Sequence, residues 1–358
     1  TVLELLGPST GGIRRHVAAL SAGLEATGWH ATTAGPRGVL DGLAPLAHEV
    51  AVPNPGPALM GARRALRQAV AESGADVVHA HGLRAGWLAV LSRLRRPVVV
   101  TVHNLVLDET AGPTARLLRV AEGRLPARVD ALVAVSPPIA DRFAGRKGAE
   151  RVRVIQPVGP APTPARTRDE VRTQLGVGTH QPLVVSLSRL HPQKDLPTLL
   201  RAAKRLAERR PDLRVAVAGS GPDKAALHGL AADLDLGKHV SFIPPTDDPA
   251  GLLAAADVVA VSSVWEGSPL AVAEALELGR PVVSTPVGFI PKLVVDGESG
   301  LLVPVGDSDA FAAALERVLS DPDAAARWGA AGRAKVAQHL NRERLVAEVA
   351  AVYDEVVV

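Results

Sequence analysis

The chain has 358 residues, of which 47% are hydrophobic and 22% are charged, and this globular composition is long enough for two domains. It contains no Cys, which excludes disulfides, thiolate nucleophiles and Cys-based zinc sites, and 3% of aromatic residues argues against a platform for single-stranded nucleic acid. Residues 1–165 carry 19 Lys and Arg against 12 Asp and Glu, whereas the remainder carries 21 against 25.

The basic character of residues 1–165 comes mostly from Arg. Such a half could face anionic lipid headgroups or an acidic acceptor, or it could be an ordinary solvated surface. No stretch of 18 uninterrupted apolar residues is present, and no basic and apolar leader opens the chain. We therefore expect a cytoplasmic protein that can touch the inner face of a membrane peripherally, and no nucleic-acid partner.

Short strand-like runs alternate with helical patterns along the first half. Val2–Leu6 is predicted as a strand, and Gly12–Thr27 has the apolar spacing of a helix. The other predicted strands are Asp76–Ala80, Pro97–Val102, Ala131–Val135 and Val152–Gln156, and the other predicted helices are Pro57–Ser73 and Thr114–Leu125. This alternation favours a parallel sheet with helices on both faces.

Pro and Gly then cluster over residues 157–164, which predicts an interdomain linker. The pattern restarts with a helix at Leu196–Arg209 and with strands at Leu183–Ser188, Leu213–Ala218, Val240–Ile243, Val258–Ser262 and Pro281–Ser284. We predict an α/β protein with two Rossmann-like, doubly wound domains that face a cleft. We expect residues 1–160 to form the first domain, residues 161–340 the second, and residues 341–358 a helix that packs back on the first domain.

A glycine-rich turn, Gly7-Pro8-Ser9-Thr10-Gly11-Gly12, joins the first strand to the first helix. Backbone N–H groups here could approach a phosphate, and a tight turn without a ligand is the alternative. The turn is not a P-loop, because Ile13 and Arg14 stand where Lys and Ser or Thr are needed. It is not a dinucleotide fingerprint either, because no acidic residue ends the strand Ala31–Gly35.

Two further segments of the second half carry charged residues after predicted strands. Arg189 and Lys194 precede a helix and could neutralise a diphosphate, or they could be surface cations. Glu266 lies in a loop, and Glu274 lies among apolar residues in the first turns of the next helix. Both carboxylates can accept bonds from sugar hydroxyls, and a carboxylate in apolar surroundings needs a partner.

Three histidines lie near strand ends in the first half. His103 follows Pro97–Val102 and could donate a hydrogen bond to a sugar hydroxyl or a backbone carbonyl, or it could be structural. His79 and His81 flank the end of the preceding strand, but no carboxylate completes a metal-binding spacing. We predict no catalytic metal and no cofactor.

The segment from Ser263 to Gly288, with Glu266 and Glu274 eight residues apart, resembles the E-x7-E signature of family-4 ("group 1") glycosyltransferases, which have the GT-B fold. Other segments resemble this family in the family's order, namely Gly11-Gly12, Asp76–Gly82, Thr101–His103, Arg189 with Lys194, Gly219–Pro222 and Asp296–Val303. The resemblance covers nearly the whole chain. Ser268-Pro269 stands where members of this family frequently have Phe-Gly. This departure bears on the shape of the sugar pocket and not on the chemistry.

The resemblance implies a role for each matching residue. Glu266 would bind donor-sugar hydroxyls, Glu274 the ribose hydroxyls, and His103 the donor sugar. Arg189 and Lys194 would bind the diphosphate and stabilise it as it leaves, which makes a metal unnecessary. The remaining donor-binding positions that we expect are Gly11, Gly12, Gly219, Ile243, Ser268, Pro269 and Leu270.

The predicted function is therefore metal-independent, retaining transfer from a nucleotide-sugar, with UDP favoured as the nucleotide and GDP next. The acceptor would be a glycan, a lipid-linked sugar or a small molecule, chosen by loops of the first domain that include Leu105–Ala115. Two alternatives remain open: a nucleotide-sugar epimerase of the same fold, and a nucleotide-sugar-binding protein without turnover.

Overall fold

The computed structural model describes residues 1–8, 11–40, 43, 47–104, 115–157 and 159–357. Ser9 and Thr10 of the glycine-rich turn and residues 105–114 of the predicted acceptor loop lie outside the described residues. The chain divides into two compact units, one formed by Thr1–Pro160 with Leu340–Val358 and the other by Ala161–His339.

The first unit is built on a parallel sheet. Its strands are β1 Val2–Leu6, β2 Ala31–Gly35, β3 Ala47–Glu49, β4 Val77–His81, β5 Val98–Val102, β6 Ala131–Ala134 and β7 Val152–Val154. They are ordered β3-β2-β1-β4-β5-β6-β7, so the strand order reverses between β1 and β4. Every pair in this sheet is parallel, which confirms the sequence-based expectation.

Helices connect these strands, as parallel pairing requires. Among the described residues these connecting helices span Gly12–Leu24, Arg37–Leu40, Ala58–Ser73, Leu83–Ser92, Ala115–Arg124 and Pro137–Asp141. A further helix, Arg342–Val357, returns to this unit from the end of the chain. The predicted helix Gly12–Thr27 is α-helical only to Leu24 and tightens into a 3₁₀ turn at Glu25–Thr27. Gly28 stops it in the left-handed region at φ 86°, where glycine lacks the steric penalty of a Cβ.

One face of the first sheet is covered by the C-terminal helix Arg342–Val357. Val2, Val77 and Val99 of adjacent strands belong to one buried cluster with Leu345 and Tyr353 of this helix. Full burial of an aliphatic side chain contributes about 1.5–3 kcal/mol. The end of the chain is therefore part of the hydrophobic core of the first unit.

The second unit repeats this plan. Its strands are β8 Leu183–Leu187, β9 Arg214–Ala218, β10 Val240–Ile243, β11 Val258–Val261, β12 Val282–Ser284 and β13 Leu301–Leu302. The order β10-β9-β8-β11-β12-β13 is that of a Rossmann sheet, and it reverses between β8 and β11. Its α-helices are Arg168–Gln174, Leu196–Ala207, Lys224–Asp233, Pro249–Ala255, Leu270–Glu277, Ile290–Leu293, Ser308–Ser320 and Pro322–His339.

The core of the second unit lies between its sheet and the amphipathic helices Leu196–Ala207 and Ser308–Ser320. Leu199, Leu200 and Phe311 are fully buried in one cluster with the strand residues. Asp307 caps the second of these helices by accepting hydrogen bonds from the N–H groups of Asp309 and Ala310. The two-domain, Rossmann-like fold class is thus confirmed. In the described part of the chain, no helix is both long and apolar enough to cross a bilayer.

Candidate functional site

The charged loops of the second unit leave the sheet where its strand order reverses. Arg189 and Lys194 follow β8, and Glu266 follows β11, the neighbouring strand. Ligands of doubly wound sheets bind outside the carboxyl ends of the strands at such a reversal. The fold thus brings three of the predicted site residues to one edge of the second sheet.

Lys194 and Glu266 form a largely buried ion pair. The Lys194 Nζ lies 2.5 Å from Glu266 Oε1, and the two side chains are 15% and 7% exposed. Ser263 Oγ donates to the same Oε1 at 2.6 Å. The other oxygen, Oε2, accepts no hydrogen bond from the residues that the structure describes. A buried carboxylate held on one side in this way can accept a hydrogen bond from a bound ligand on the other.

Hydrogen bonds between the two loops hold this pair in place. Gln193 Nε2 donates to the Trp265 carbonyl at 2.9 Å, and Ser262 Oγ donates to the Lys194 carbonyl at 2.8 Å. Thr285 Oγ1, at the end of β12, donates to the Ser263 carbonyl at 2.6 Å. Because these donors are buried and bonded to backbone, the loops are connected to the rigid sheet rather than only to each other.

Arg189 adds a second positive charge to this edge. Its side chain is exposed, and its one hydrogen bond among described residues is long, 3.5 Å from Nη2 to Gln193 Oε1. Burial and, after it, the charge of Arg189 lower the pKa of neighbouring His191. A weakly engaged guanidinium can take up a bidentate contact with phosphate oxygens at little cost.

The loop after β9 approaches the Arg189 loop very closely. A Cβ on Gly219, at φ 148°, would lie 2.0 Å from the Ser188 carbonyl oxygen. The N–H of Gly219 donates to the Ile243 carbonyl at 2.9 Å. Gly219 and Ile243 therefore lie at the same edge of the sheet as Arg189, and their role in donor binding stays a prediction.

Helix Leu270–Glu277 begins directly after the Glu266 loop. Pro269 is its N-cap, and Ser268, Pro269 and Leu270 are half-buried. Glu274 is 2% exposed and lies within the helix. The N–H groups of Val272 and Ala273 donate to the Pro269 carbonyl, whereas those of Leu270 and Ala271 precede any helical acceptor, so this end attracts an anion. The roles predicted for these residues remain predictions.

In the first unit, Gly11 and Gly12 lie where helix Gly12–Leu24 begins. Gly11 adopts φ 87° and ψ −128°, a conformation that favours glycine, and both residues are exposed. The phosphate contact predicted for them stays a prediction.

His103 belongs to a buried polar cluster at the end of β5. It is 8% exposed, and its Nε2 lies 3.1 Å from Nδ1 of His81. His81 Nε2 lies 2.6 Å from Glu4 Oε2, and the Tyr353 hydroxyl donates to Glu4 Oε1 at 3.0 Å. His81 is the last residue of β4, one position beyond the predicted strand end, so it lies on the same sheet face as His79.

Sequence reasoning missed Glu4 and Tyr353. A signal for Glu4 existed, because a single carboxylate within the apolar strand Val2–Leu6 must have a buried partner. Nothing in the sequence points to Tyr353, which lies 349 positions from Glu4 along the chain.

Two groups of described residues bring possible metal ligands within 4.8 Å of one another, His16 with His81 and His103, and Glu4 with His79 and His81. Each group contains a hydrogen bond of His81, from Nδ1 to His103 Nε2 at 3.1 Å in the first and from Nε2 to Glu4 Oε2 at 2.6 Å in the second. A shared proton occupies the lone pair that a metal would need. We interpret the cluster as a hydrogen-bond network.

Comparison with known proteins gives two family matches. The family described as Glycosyl transferases group 1 matches residues 167–335, and Glycosyltransferase Family 4 matches residues 10–158. A D-inositol 3-phosphate glycosyltransferase of Nocardia farcinica is 35% identical over 71% of this chain and 61% of its own length. A GDP-mannose-dependent alpha-(1-6)-phosphatidylinositol monomannoside mannosyltransferase of Mycolicibacterium smegmatis is 36% identical over 66% of this chain and 65% of its own. These matches cover less than two thirds of the relatives' length.

Solved structures share the fold over the whole chain. Sucrose-phosphate synthase from Thermosynechococcus elongatus superposes with a TM-score of 0.84 at 24% identity, covering 99% of this chain and 98% of that one. Anabaena Alr3699/HepE, solved in complex with UDP and glucose, gives a TM-score of 0.85 at 22% identity and covers 99% of both chains.

Proposed function

Because the chain belongs to the group 1, family 4 glycosyltransferases of the GT-B fold, we propose that it transfers a sugar from a nucleotide-sugar to an acceptor. The observation that carries this proposal is the buried Lys194–Glu266 pair beside exposed Arg189, where the second sheet reverses its strand order. Glu266 supplies a carboxylate that can accept hydrogen bonds from sugar hydroxyls, and Lys194 and Arg189 supply two cations that can bind a diphosphate at the same edge of the sheet.

The leaving diphosphate would be stabilised by protein charges. As the anomeric C–O bond breaks, its electron pair moves onto the phosphate oxygen, and negative charge grows on the diphosphate. Arg189, Lys194 and the N–H groups that open helix Leu270–Glu277 are the groups we assign to it. Preorganised donors of this kind are worth about a factor of 10²–10³ each, so we propose that no catalytic metal is needed.

The donor would be held by the two glutamates. Glu266 would accept hydrogen bonds from sugar hydroxyls through Oε2, since Lys194 and Ser263 occupy Oε1. Glu274, buried in the following helix, would hold the ribose hydroxyls. We further propose retention of configuration, in which the acceptor oxygen bonds to the anomeric carbon and its proton passes to the leaving phosphate.

UDP remains the favoured nucleotide and GDP the next. The UDP in the Anabaena structure supports the first, and the GDP-mannose dependence of the Mycolicibacterium smegmatis relative supports the second. For the acceptor we propose an anionic polyol such as an inositol phosphate, free or in a lipid. The Nocardia farcinica relative and the excess of Lys and Arg over Asp and Glu in residues 1–165 support this choice.

Peripheral membrane contact from a cytoplasmic location is part of the same proposal. Helix Ala115–Arg124 exposes Leu117 at 71% and Val120 at 42%, next to exposed Arg116 and Arg124. Exposed apolar side chains flanked by Arg are typical of surfaces that bind anionic lipid. Sedimentation with anionic and with neutral vesicles tests this contact, and we expect the protein to sediment with the anionic ones. If it binds neither kind of vesicle, the membrane is removed from the proposal.

The first test is nucleotide binding by calorimetry with UDP, GDP and ADP, each with and without EDTA. We expect one nucleotide to bind, EDTA to have no effect, and Glu274→Gln to weaken binding at least about tenfold, or 1.4 kcal/mol. Glu208→Gln, on an exposed surface of the same unit, is the control. Loss of binding in EDTA would overturn the metal-free site, and no binding of any nucleotide would overturn the donor site.

Turnover separates the transferase from its alternatives. Donor and myo-inositol 3-phosphate are incubated with the protein, and proton NMR follows the anomeric signal. A new glycoside with the donor's anomeric configuration supports transfer with retention. Conversion of the donor to an epimer without an acceptor would favour an epimerase, and binding without any conversion of a panel of donors and acceptors would favour a binding protein.

A further inference from the structure

A directed chain of hydrogen bonds runs through the buried face of the first sheet and ends at His103. Its members come from β1, β4 and the residue after β5, and each is at most 8% exposed: Glu4, His81 and His103. Glu4 Oε2 lies 2.6 Å from His81 Nε2, and His81 Nδ1 lies 3.1 Å from His103 Nε2. The position of each proton along this chain of hydrogen bonds follows from the charged residue at its inner end, Glu4.

Glu4 is that charged end, and it can only accept. Burial by itself would raise the pKa of Glu4, but the charge of His79 and hydrogen bonds from His79 and His81 hold it far below its usual range. The Tyr353 hydroxyl also donates to Glu4, at 3.0 Å, and burial raises the pKa of this phenol well above its usual value. An ionised carboxylate has no proton to give, so His81 Nε2 must donate to it.

The proton on His81 Nε2 determines the state of its other nitrogen. Burial lowers the pKa of His81 to about 4, so at neutral pH the ring has a single N–H. Its Nδ1 therefore carries a lone pair and can only accept. Since His103 Nε2 is the atom 3.1 Å away, His103 must donate through Nε2.

The same reasoning leaves the outer nitrogen of His103 as an acceptor. Burial, followed by the neighbouring His16 and His81, lowers the pKa of His103 well below its usual value, so this ring too has one N–H. With that N–H used on His81, Nδ1 carries a lone pair. No described residue makes a hydrogen bond to this Nδ1.

We propose that Glu4 and His81 are positioning residues that hold His103 in the Nε2–H tautomer, so that its Nδ1 accepts a hydrogen bond from a hydroxyl of the donor sugar. This inference rests on the proposed function and on the contact with the donor sugar that the family resemblance implies for His103. It replaces the earlier expectation that His103 donates to the hydroxyl. An acceptor-only nitrogen selects a sugar that bears a hydroxyl there and disfavours the deoxy analogue, which leaves the lone pair without a partner.

Tyr353 and His79 complete the set of residues that hold the Glu4 carboxylate in place. Tyr353 lies on the C-terminal helix, and its hydroxyl is 2.6 Å from His79 Nδ1, while His79 Nε2 is 2.6 Å from Thr101 Oγ1. The carboxylate of Glu4 thus receives donors at both oxygens, which holds it in one orientation. The C-terminal helix, through Tyr353 and Glu4, therefore helps to hold His103 in the Nε2–H tautomer.

Long-range proton–nitrogen NMR correlations of the histidine rings of the free protein test the tautomer directly. We expect His103 and His81 both to appear at neutral pH with the proton on Nε2, assigned by comparison with His103→Gln and His81→Gln. A proton on Nδ1 of His103, or a doubly protonated ring, would overturn the proposal. This measurement needs no substrate, so it does not depend on the proposed function.

Variants of His81 test the consequence for the sugar. In His81→Gln, the amide can donate to Glu4 and accept from His103, so donor KM should stay near wild type. His81→Leu removes both bonds and should raise KM for UDP-glucose, or GDP-mannose, at least about fivefold, a loss of roughly 1 kcal/mol. The penalty for mono-deoxy donor analogues should shrink in the same variant.

Binding of UDP or GDP alone separates the positioning role of His81 from the proposed function of the protein. It should be unchanged in His81→Leu, because the groups assigned to the nucleotide lie in the second unit. Resistance of residues 1–160 to limited proteolysis shows separately that the first unit of this variant is folded. Unchanged donor KM in His81→Leu would overturn the positioning role, whereas failure of wild type to bind any nucleotide would count against the proposed function instead. Equal loss in the Gln and Leu variants would also overturn the role, because Gln preserves the direction of both hydrogen bonds.

Discussion

At the scale of single residues, the candidate site contains an ion pair that is largely shielded from bulk water. The Lys194–Glu266 pair has exposures of 15% and 7%, so neither charge is fully screened by solvent. Removing one partner of such a pair typically costs 3–5 kcal/mol, because the other is left as a buried charge. The intact pair nevertheless adds little net stability, because the desolvation of both charges offsets their attraction, so a role in the chemistry of the site explains it better than stability does.

Replacing Lys194 by Gln should separate this role from ordinary surface electrostatics. We expect kcat to fall by about 10²–10³, because a donor to the leaving diphosphate is lost. Steady-state kinetics with the donor measures it. Lys204→Gln, on the surface in an exposed pair with Glu208, is the matched control and should change kcat little. A similar kcat in both variants would contradict the assignment of Lys194.

The buried histidines make the stability of the protein depend on pH. His81 has a pKa of about 4 in the folded protein against 6.5 when exposed. Its neutral form thus contributes stability above pH 6.5 that is lost as the pH falls toward 4. The loss is roughly 3 kcal/mol for His81 alone. Urea unfolding across this pH range measures it, and His81→Gln should give a flatter profile. A profile as steep as that of wild type would exclude His81 as its source.

At the scale of elements, close backbone contacts hold the site loops against one another. A Cβ on Gly288 would lie 2.0 Å from the Glu266 carbonyl oxygen, and the residue has φ 59°. The loop after β12 therefore touches the loop that carries Glu266. Such contacts place side chains accurately because backbone cannot move aside as a flexible side chain can.

Gly288→Ala should therefore displace Glu266 without touching its side chain. We expect a loss of roughly 1–3 kcal/mol in unfolding free energy and a lower kcat, since the clash is with backbone and the φ is positive. Thermal unfolding and donor kinetics are the measurements. Gly229→Ala, in helix Lys224–Asp233 with no atom within 4 Å of the added Cβ, is the control and should be neutral or stabilising. Normal activity of Gly288→Ala would show that this contact does not position Glu266.

At the scale of the whole molecule, each compact unit has its own sheet and its own hydrophobic cluster. The exception to a simple division along the chain is the C-terminal helix, which belongs to the first unit. Leu345, Val346, Val349, Val352 and Tyr353 of this helix are all at most 4% exposed. Removing them would uncover the face that carries Glu4 and the histidines.

Truncation after His339 should therefore unfold the first unit and spare the second. The buried side chains of the helix contribute about 1.5–3 kcal/mol each, and their sum is comparable with the 5–15 kcal/mol that stabilises a typical domain. Limited proteolysis followed by mass spectrometry should find cleavage within residues 1–160 and protection of residues 161–339. Glu348→Ala, half exposed on the same helix, should leave both protected. Protection of residues 1–160 in the truncated protein would contradict this.

Local sequence features were sufficient to predict the fold class and the strand ends that carry three candidate site residues of the second unit. Apolar runs that alternate with helical spacing predict parallel sheets, because parallel strands need crossover helices and these helices cover both faces of the sheet. Arg189, Lys194 and Glu266 could be placed from sequence because each follows a strand, and strand ends converge at one edge. The short strands β3 and β13 were missed, because two or three residues carry no periodic signal.

Only the tertiary structure could decide how these residues pair. Lys194 and Glu266 are 72 positions apart, and their 2.5 Å contact depends on β8 and β11 becoming neighbours. Glu4, His81, His103 and Tyr353 come from four separate elements, and the direction of their protons depends on burial, which a sequence does not state. Sequence determines which groups are available, whereas distances and desolvation, set by the packed fold, determine what those groups can do.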